Sequence, residues 1–197
     1  MNVKQVISAL DAGLEPIGFT RRKSVWNRRI DDVVEVIDVQ VSTSGDTVTV
    51  NAGVLDPTVH EAIWGEEPPK FVEEPLSTVR ARIGELLDRK DRWWQLGSEQ
   101  AVGEIVDTVT QVVLPFLQRM HHRGEMASWL DRAEVVKRRQ HAEILGLAVL
   151  KNLVGGQSEA CELLAAQRKR AIGAWLGRYD EVAQRLRCGS GGKVSHD

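Results

Sequence analysis

The fold of this chain is decided by residues 33–55, which read VVEVIDVQVSTSGDTVTVNAGVL. Two runs rich in β-branched residues, Val33–Thr43 and Thr47–Leu55, flank the short turn Ser44-Gly45-Asp46. Runs of this composition favour strands, and so short a turn joins antiparallel neighbours. In the second run, apolar side chains alternate with Thr47, Thr49, Asn51 and Gly53. The alternation predicts a strand with one packed face and one polar face.

On the N-terminal side of this segment, a third strand is predicted at Ser24–Ile30, before the turn Asp31-Asp32. An N-terminal helix is predicted from apolar residues at helical spacing, namely Val3, Val6, Ile7, Leu10 and Leu14. Downstream, Arg80–Leu87 is a candidate fourth strand. A long apolar stripe from Val102 to Met120 predicts a helix with a cap at Ser98 and a kink near Pro115.

The segment Asp56–Thr78 shows no sustained periodicity and contains four prolines, so it is predicted to be a long loop. Loops of this length are more often functional or disordered than idle. Its paired carboxylates form a candidate acidic docking surface: Glu66, Glu67, Glu73 and Glu74. They are not expected to be a catalytic acid and base, because an exposed loop does not separate two carboxyl pKa values.

The second half of the chain is predicted to be helical. Helices are expected from about Glu134 to Val154 and from Ser158 to about Leu176, forming an antiparallel hairpin with Leu164, Ile172 and Trp175 inward. The fold class is therefore α+β: an N-terminal helix, an antiparallel sheet of three to four strands, a long helix and a C-terminal helical hairpin. The expected division is a 1–123 α+β module, a 124–187 helical extension packed on it, and a disordered tail at 188–197.

Basic residues outnumber acidic ones after position 120, and acidic residues outnumber basic ones before it. Two basic runs on the hairpin form a candidate partner surface: Lys137, Arg138, Arg139, Arg168, Lys169 and Arg170. A solvated helix face is the alternative interpretation, because several glutamates lie close enough to pair with them. The sequence pI of about 6.2 disfavours nucleic acid as a partner.

Other site chemistries find no support in the sequence. Cys161 and Cys188 are read as ordinary thiols, since two distant cysteines make neither a disulfide framework nor a zinc site. His121, His122 and Glu125 come closest to a metal pattern, but a polar helix end explains them. We expect no metal, no cofactor and no catalytic residues. With no apolar stretch of about 20 residues and no secretory signal, a cytoplasmic protein that does not enter the membrane is expected.

Several landmarks share their order with a known family. They are Leu14-Glu15-Pro16-Ile17-Gly18-Phe19 with Arg21, Lys23 and Trp26; Val39-Gln40-Val41-Ser42; Thr49-Val50-Asn51-Ala52-Gly53-Val54; Arg82-Ile83-Gly84-Glu85-Leu86; and Asp91-Arg92-Trp93-Trp94. With these, the first 130 or so residues resemble the bacterial family called domain of unknown function 4304. The resemblance implies an α+β module and no established activity. The family often has a cysteine before Arg-Ile-Gly, where this chain has Ser77, Thr78 and Val79.

Two hypotheses on function follow. The first is a non-enzymatic protein-binding or regulatory module, of the immunity or defence-accessory kind, whose partner is another protein. The alternative is a small-ligand-binding or enzymatic domain with its site on the polar face of the sheet, under the 56–79 loop. That site would use Gln40, Asn51 and Arg82, whereas Trp93-Trp94 is read as a core anchor. The oligomeric state stays open.

Overall fold

The computed structural model of the chain describes residues 3–87, 90–97, 99–132 and 140–189. The strands are β1 (Thr20–Arg22), β2 (Val25–Ile30), β3 (Val33–Val41), β4 (Thr47–Leu55), β5 (Val79–Arg82) and β6 (Trp94–Gln95). The helices are α1 (Val3–Leu14), α2 (Pro57–Trp64), α3 (Ile83–Leu87), α4 (Glu99–Thr108), α5 (Leu114–Arg119), α6 (Arg123–Leu130), α7 (His141–Leu153), α8 (Gln157–Arg168) and α9 (Ala174–Arg185). This mixture of helices with an antiparallel sheet confirms the α+β class.

Contacts divide the chain into two compact units. Unit 1 comprises residues 1–57 and 68–121, and unit 2 comprises residues 58–67 and 122–197. The segment 58–67 thus belongs to a different unit from the residues on either side of it. The predicted packing of a 124–187 extension on a 1–123 module stays a prediction.

The sheet of unit 1 has more strands than the sequence predicted. Its order is β1-β2-β3-β4-β5, with β6 also paired to β4, and every pairing is antiparallel. The two unexpected strands, β1 and β6, are only three and two residues long, too short to show an alternating pattern. The fourth predicted strand is also shorter than expected, because β5 ends at Arg82 and α3 begins at Ile83.

One face of the sheet carries the helical layer of unit 1. The side chains of Trp26, Ile37 and Ala52 lie on this face in neighbouring register and are almost fully buried. Asp11 of α1 accepts a hydrogen bond from Trp26 Nε1 at 2.8 Å, which fixes α1 against this face. The opposite face is where the polar residues of β3, β4 and β5 emerge.

The predicted long helix is present in the described chain from Glu99 to Arg119, but it is not regular throughout. Between α4 and α5 the backbone forms a π-helical turn, Val109–Val113. Pro115 comes two residues after this turn and has no N–H to donate to a carbonyl one turn earlier, which is why the irregularity lies here. The kink predicted near Pro115 thus corresponds in the structure to a π-helical turn shortly before the proline. Ser98, the predicted cap, lies outside the described residues.

The prediction of one long loop at 56–78 is wrong. Its first part is the helix α2, which begins with Pro57 and buries Val59 and Ile63, and a 3-10 turn follows at Glu74–Leu76. Proline is well suited to the first position of a helix, since the N–H that it lacks would have no partner there. The periodicity was missed because α2 is only eight residues long.

In unit 2, α7 and α8 are neighbours, as the predicted hairpin requires, but the second helix ends early. Helix α8 ends at Arg168, and a separate helix, α9, begins at Ala174. Between them, Gly173 has a φ of 57°, a backbone conformation that disfavours any residue with a side chain. Leu164 is buried as expected, Trp175 is only partly buried, and Ile172, predicted to point inward, is 77% exposed. Residues 134–139 of the predicted hairpin lie outside the described chain.

The cysteines correct a further prediction. Cys161 on α8 and Cys188 after α9 form a disulfide, so they are not ordinary thiols. The two helices bring these residues together across 27 positions of sequence, a proximity that spacing alone does not reveal. Cys188 therefore belongs to the folded part of unit 2, whereas 190–197 of the predicted tail lies outside the described residues. No helix in the described ranges is long and apolar enough to cross a bilayer.

Candidate functional site

The three residues proposed from the sequence meet on the polar face of the sheet. Asp38, Asn51 and Arg82 lie side by side on β3, β4 and β5, because Asn51 is the register partner of both others. Gln40 is two residues beyond Asp38 on the same face. The sheet itself therefore sets the spacing of these side chains.

Hydrogen bonds join the predicted residues into one network. Asn51 Nδ2 donates to Gln40 Oε1 at 3.2 Å and to Asp38 Oδ2 at 3.3 Å. Arg82 donates through Nε to Asn51 Oδ1 at 3.4 Å and through Nη2 to Gln40 Oε1 at 3.3 Å. These distances lie at the long end of the range for hydrogen bonds, so the individual bonds are weak.

Arg82 also reaches the segment before β6. Its Nη1 lies 3.2 Å from Asp91 Oδ1, and its guanidinium carbon is 5.6 Å from the centre of the Trp93 ring. Trp93 Nε1 donates to Asp91 Oδ2 at 2.9 Å; this bond, followed by the bond from Arg82, lowers the pKa of Asp91. Asp91 thus stays ionised and holds the arginine over the sheet.

A glycine allows this segment to come so close. A Cβ atom on Gly84 would lie only 1.6 Å from the carbonyl oxygen of Lys90. The backbone of residues 90–92 therefore packs directly against α3 at a point where any side chain would clash. This approach places Asp91 and Trp93 beside Arg82.

Asp38 is the carboxylate at the centre of the sheet face. It is partly buried, and Ser24 Oγ is its second hydrogen-bond donor, at 3.4 Å from Oδ1. Burial raises its pKa, the hydrogen bonds from Asn51 and Ser24 lower it, and the charges of Glu74 and Glu73 raise it further. The net direction is upward, so the ionised form of Asp38 is disfavoured in the folded protein.

Thr49 lies on the same face, directly opposite Gln40 and two residues before Asn51. Its side chain is fully buried, and Oγ1 has no hydrogen-bond partner within the described ranges. A buried hydroxyl without a partner costs about 1–3 kcal/mol, so its presence needs a reason.

The other end of this face is covered by residues 68–78. Val72 packs with Val25, Val36 and other apolar residues of the sheet, and its backbone exchanges two hydrogen bonds with the Asn27 side chain. Gln40, by contrast, is exposed. The predicted site therefore lies beside this segment, and not beneath it as the sequence suggested.

The predicted acidic surface is divided by the structure. Glu66 and Glu67 are exposed in unit 2, and Glu73 is exposed in unit 1. Glu74 is only 5% exposed, and both of its oxygens accept hydrogen bonds from Arg80 at 2.7 Å. The prediction that Glu74 belongs to an exposed docking surface is therefore wrong, because its carboxylate is buried and forms an ion pair with Arg80.

The predicted basic surface is described only in part. Arg168, Lys169 and Arg170 are exposed at the end of α8, and Arg168 forms a two-bond ion pair with Asp180 of α9. Lys137, Arg138 and Arg139 lie outside the described residues. What the structure describes of this surface is a solvated helix end with one of its three charges paired.

Two histidines outside this sheet face, His121 and His141, form hydrogen bonds with other side chains of the protein. His121, part of the metal-like pattern, is bonded to Glu35 of β3, and no group of three potential metal ligands occurs among the described residues. In unit 2, His141 Nδ1 lies 3.1 Å from Tyr179 Oη, and burial raises the pKa of Tyr179 to about 12. That phenol keeps its proton near neutral pH and cannot serve as a base.

Sequence reasoning found Gln40, Asn51 and Arg82 but missed Asp38, Thr49 and Asp91. A signal for the first two was available, because the turn at 44–46 fixes which residues of the two strands lie opposite each other. No comparable signal existed for Asp91, since its position depends on a loop passing Gly84.

Comparison with known proteins gives one result. No curated protein and no solved structure matches the chain. The matching family model, described as a domain of unknown function (DUF4304), covers residues 10–119 and so includes every residue of the network on the sheet. This chain belongs to the DUF4304 family.

Proposed function

We propose that this protein is a non-enzymatic binding module that recognises another protein through a surface here called the Arg82 cluster. The cluster consists of Asp38, Gln40, Asn51, Arg82, Asp91 and Trp93. The observation that carries the proposal is the convergence of Gln40 and Asn51, from two adjacent strands, with Arg82, 31 residues beyond Asn51, into one hydrogen-bond network on a sheet face.

The chemistry of the cluster suits recognition of a protein. The side chain of Arg82 is 38% exposed and that of Asp91 is 56% exposed, while Trp93 is partly buried beside them. Arginine and tryptophan are enriched among the residues that contribute most to protein–protein binding. Here both are held in place before any partner arrives, which reduces the entropy lost on association.

The bonds inside the cluster can also be exchanged. Each bond among Asp38, Gln40, Asn51 and Arg82 is between 3.2 and 3.4 Å long. A partner that offers better-placed donors and acceptors can replace them at little cost.

A small-ligand-binding or enzymatic site at the same place is the second candidate. It is favoured by Asp38, a partly buried carboxyl group whose pKa is raised by burial. Groups perturbed in this way cluster at functional sites, although structural networks perturb pKa values as well. The two candidates differ in whether the bound species is a macromolecule.

Photo-crosslinking tests the proposal and separates the candidates. A benzophenone amino acid at Gln95 would stand on the same sheet face as the cluster without replacing any member, and Gln95 is exposed. Ala165, exposed on α8 in unit 2, is the control position. The full chain is irradiated in cells of its native host, and adducts are identified by mass spectrometry.

We expect one protein adduct at Gln95 that is absent at Ala165 and is lost in Arg82→Ala. Absence of an adduct, or an adduct that Arg82→Ala leaves unchanged, would overturn the protein-binding proposal. An intact-mass increase of a few hundred daltons in place of a protein adduct would favour the small-ligand candidate.

The bacterial origin and the immunity or defence-accessory role expected from the sequence remain part of this proposal, as does action in the cytoplasm. Disulfides are rare in that compartment, so Cys161–Cys188 provides the test. Alkylation of thiols in intact cells should find these two cysteines largely reduced if the protein is cytoplasmic. A fully oxidised pair would argue for an oxidising compartment.

A further inference from the structure

We propose that the Arg82 cluster receives a cationic side chain of its partner, an arginine or a lysine, at the carboxylate of Asp38. This inference rests on the proposed function and specifies the chemistry of the partner. Three features support it: the unused bonding capacity of Asp38, the charges around Asp38, and the buried hydroxyl of Thr49.

Asp38 has unused bonding capacity. A carboxylate offers about four lone-pair sites, and Asp38 uses two of them, for bonds of 3.3 and 3.4 Å. It takes part in no ion pair within the described part of the chain. By comparison, Glu74 on the neighbouring segment has both of its oxygens in short bonds to one arginine. The carboxylate of Asp38 could accept bonds from a cation in the same way, but no cationic side chain of the described residues pairs with it.

The charged residues near Asp38 also leave its carboxylate without a cationic partner. Two acidic side chains raise its pKa further, Glu74, which is bonded to Arg80, and the exposed Glu73. The arginines of the same face are engaged elsewhere: Arg80 with Glu74, Arg82 with Asp91, Arg22 over the ring of Phe71 at 4.7 Å, and Arg29 with the carbonyl oxygens of Pro69 and Lys70. A partly buried carboxylate in such surroundings is stabilised when a cation arrives, whereas an anionic group would be repelled.

Thr49 supplies an independent observation that points the same way. Its hydroxyl is buried on the face of the cluster, opposite Gln40, and has no hydrogen-bond partner within the described ranges. A hydroxyl oxygen accepts hydrogen bonds from ammonium or guanidinium groups. Gln40, exposed and weakly bonded, is the side chain whose movement would open a path to this oxygen.

A metal ion fits these residues less well. No group of three potential metal-ligating side chains exists in the portion of the chain that the structure describes. A guanidinium or ammonium group needs only one carboxylate and a few neutral oxygens, and Asp38, Gln40 and Thr49 provide that set. The geometry therefore favours an organic cation.

NMR titration of the full ¹⁵N-labelled chain tests the inference. The probes are acetyl-Gly-Arg-Gly-amide, the lysine peptide, and the citrulline peptide, which has the shape of arginine without its charge. We expect the side-chain amide signals of Asn51 and Gln40 to shift with millimolar affinity for the two cationic peptides. The citrulline peptide should bind at least tenfold more weakly.

Two variants make the test specific. Asp38→Asn keeps the shape of the side chain and should weaken binding of the arginine peptide at least tenfold, whereas Asp32→Asn, at an exposed acid in the β2–β3 turn, should leave it unchanged. If Asp38→Asn does not fold, Thr49→Val serves in its place and should weaken binding about threefold. Equal binding of citrulline, or binding unaffected by these variants, would overturn the inference.

Crosslinking at Gln95 distinguishes failure of the cationic-partner inference from failure of the protein-binding proposal. A protein adduct at Gln95 that is lost in Arg82→Ala but retained in Asp38→Asn would support the binding module and overturn the cationic partner. Loss of the adduct in both variants supports both proposals. If neither variant affects the adduct, both are wrong.

Discussion

His121 Nε2 lies 2.8 Å from Glu35 Oε1, which joins the second residue after helix α5 to a fully buried carboxylate on β3. Arg28 on the neighbouring strand donates to the other oxygen of Glu35 at 2.6 Å. Both oxygens of the carboxylate are therefore bonded. This arrangement fixes the end of the helical layer on the apolar face of the sheet.

Replacing this carboxylate by an amide should destabilise the protein. In Glu35→Gln, Arg28 loses its charged partner while it remains largely covered, with a side chain 21% exposed. We expect the free energy of unfolding in urea to fall by about 2 kcal/mol. Glu15→Gln, at an exposed position after α1, is the control and should change it by less than about 0.5 kcal/mol. Equal urea midpoints for the two variants would contradict this account of Glu35.

Asp38 predicts a pH dependence of stability. Its pKa is raised in the folded protein, chiefly by burial, so the folded state binds the proton more tightly than the unfolded state. Stability from this group is present at acidic pH and is lost as pH rises through the unfolded and then the folded pKa. Asp38→Asn should therefore have a higher urea midpoint than the parent at pH 7. The difference should disappear towards pH 3, and a lower midpoint at pH 7 would show that the ionised carboxylate is stabilising.

Thr49 predicts a stabilising substitution. Thr49→Val replaces a buried hydroxyl that has no partner among the described residues by a methyl group of the same shape. We expect the free energy of unfolding to rise by about 1 kcal/mol. Thr43→Val, at an exposed position, is the matched control and should change little. A loss of stability in Thr49→Val would mean that the hydroxyl does find a partner in solution.

The disulfide predicts a dependence on reductant. Cys161 and Cys188 close a loop of 27 residues in unit 2, and such a cross-link contributes about 3 kcal/mol. Reduction should lower hydrogen-exchange protection in α8 and α9 and should leave the β3 and β4 amides unchanged. In Cys188→Ser, the reductant should have no further effect. Identical exchange with and without reductant in the parent chain would contradict the prediction.

We expect Arg185 to stabilise the end of helix α2. Its Nη1 donates to the carbonyl oxygens of Ala62 and Ile63 at 2.9 and 3.0 Å, at the end of a helix where carbonyls lack partners. Arg185→Gln should cost about 1 kcal/mol and should increase exchange of the α2 amides. Arg170→Gln, at an exposed position after α8, is the control. Unchanged α2 exchange in Arg185→Gln would show that this cap is dispensable.

The sequence revealed the parts of this protein that depend on local patterns. The strands around the 44–46 turn and the first helix follow from periodicity and turn length. Gln40, Asn51 and Arg82 were selected through the family resemblance. The rest depends on contacts that periodicity and turn length do not predict. Examples are the disulfide between Cys161 and Cys188, the ion pair of Glu74 with Arg80, and the packing of the 90–92 backbone against Gly84.

Helix α2 has a consequence for how the protein is made. Its residues 58–64 lie within the family-matched part of the chain, yet they are built into unit 2, where Arg178 and Arg185 bond their terminal carbonyls. During synthesis on a ribosome this helix emerges well over a hundred residues before the arginines that hold its end. Unit 2 cannot be completed until Arg185 has been translated, so the apolar face of α2 stays without its packing in unit 2 during that interval.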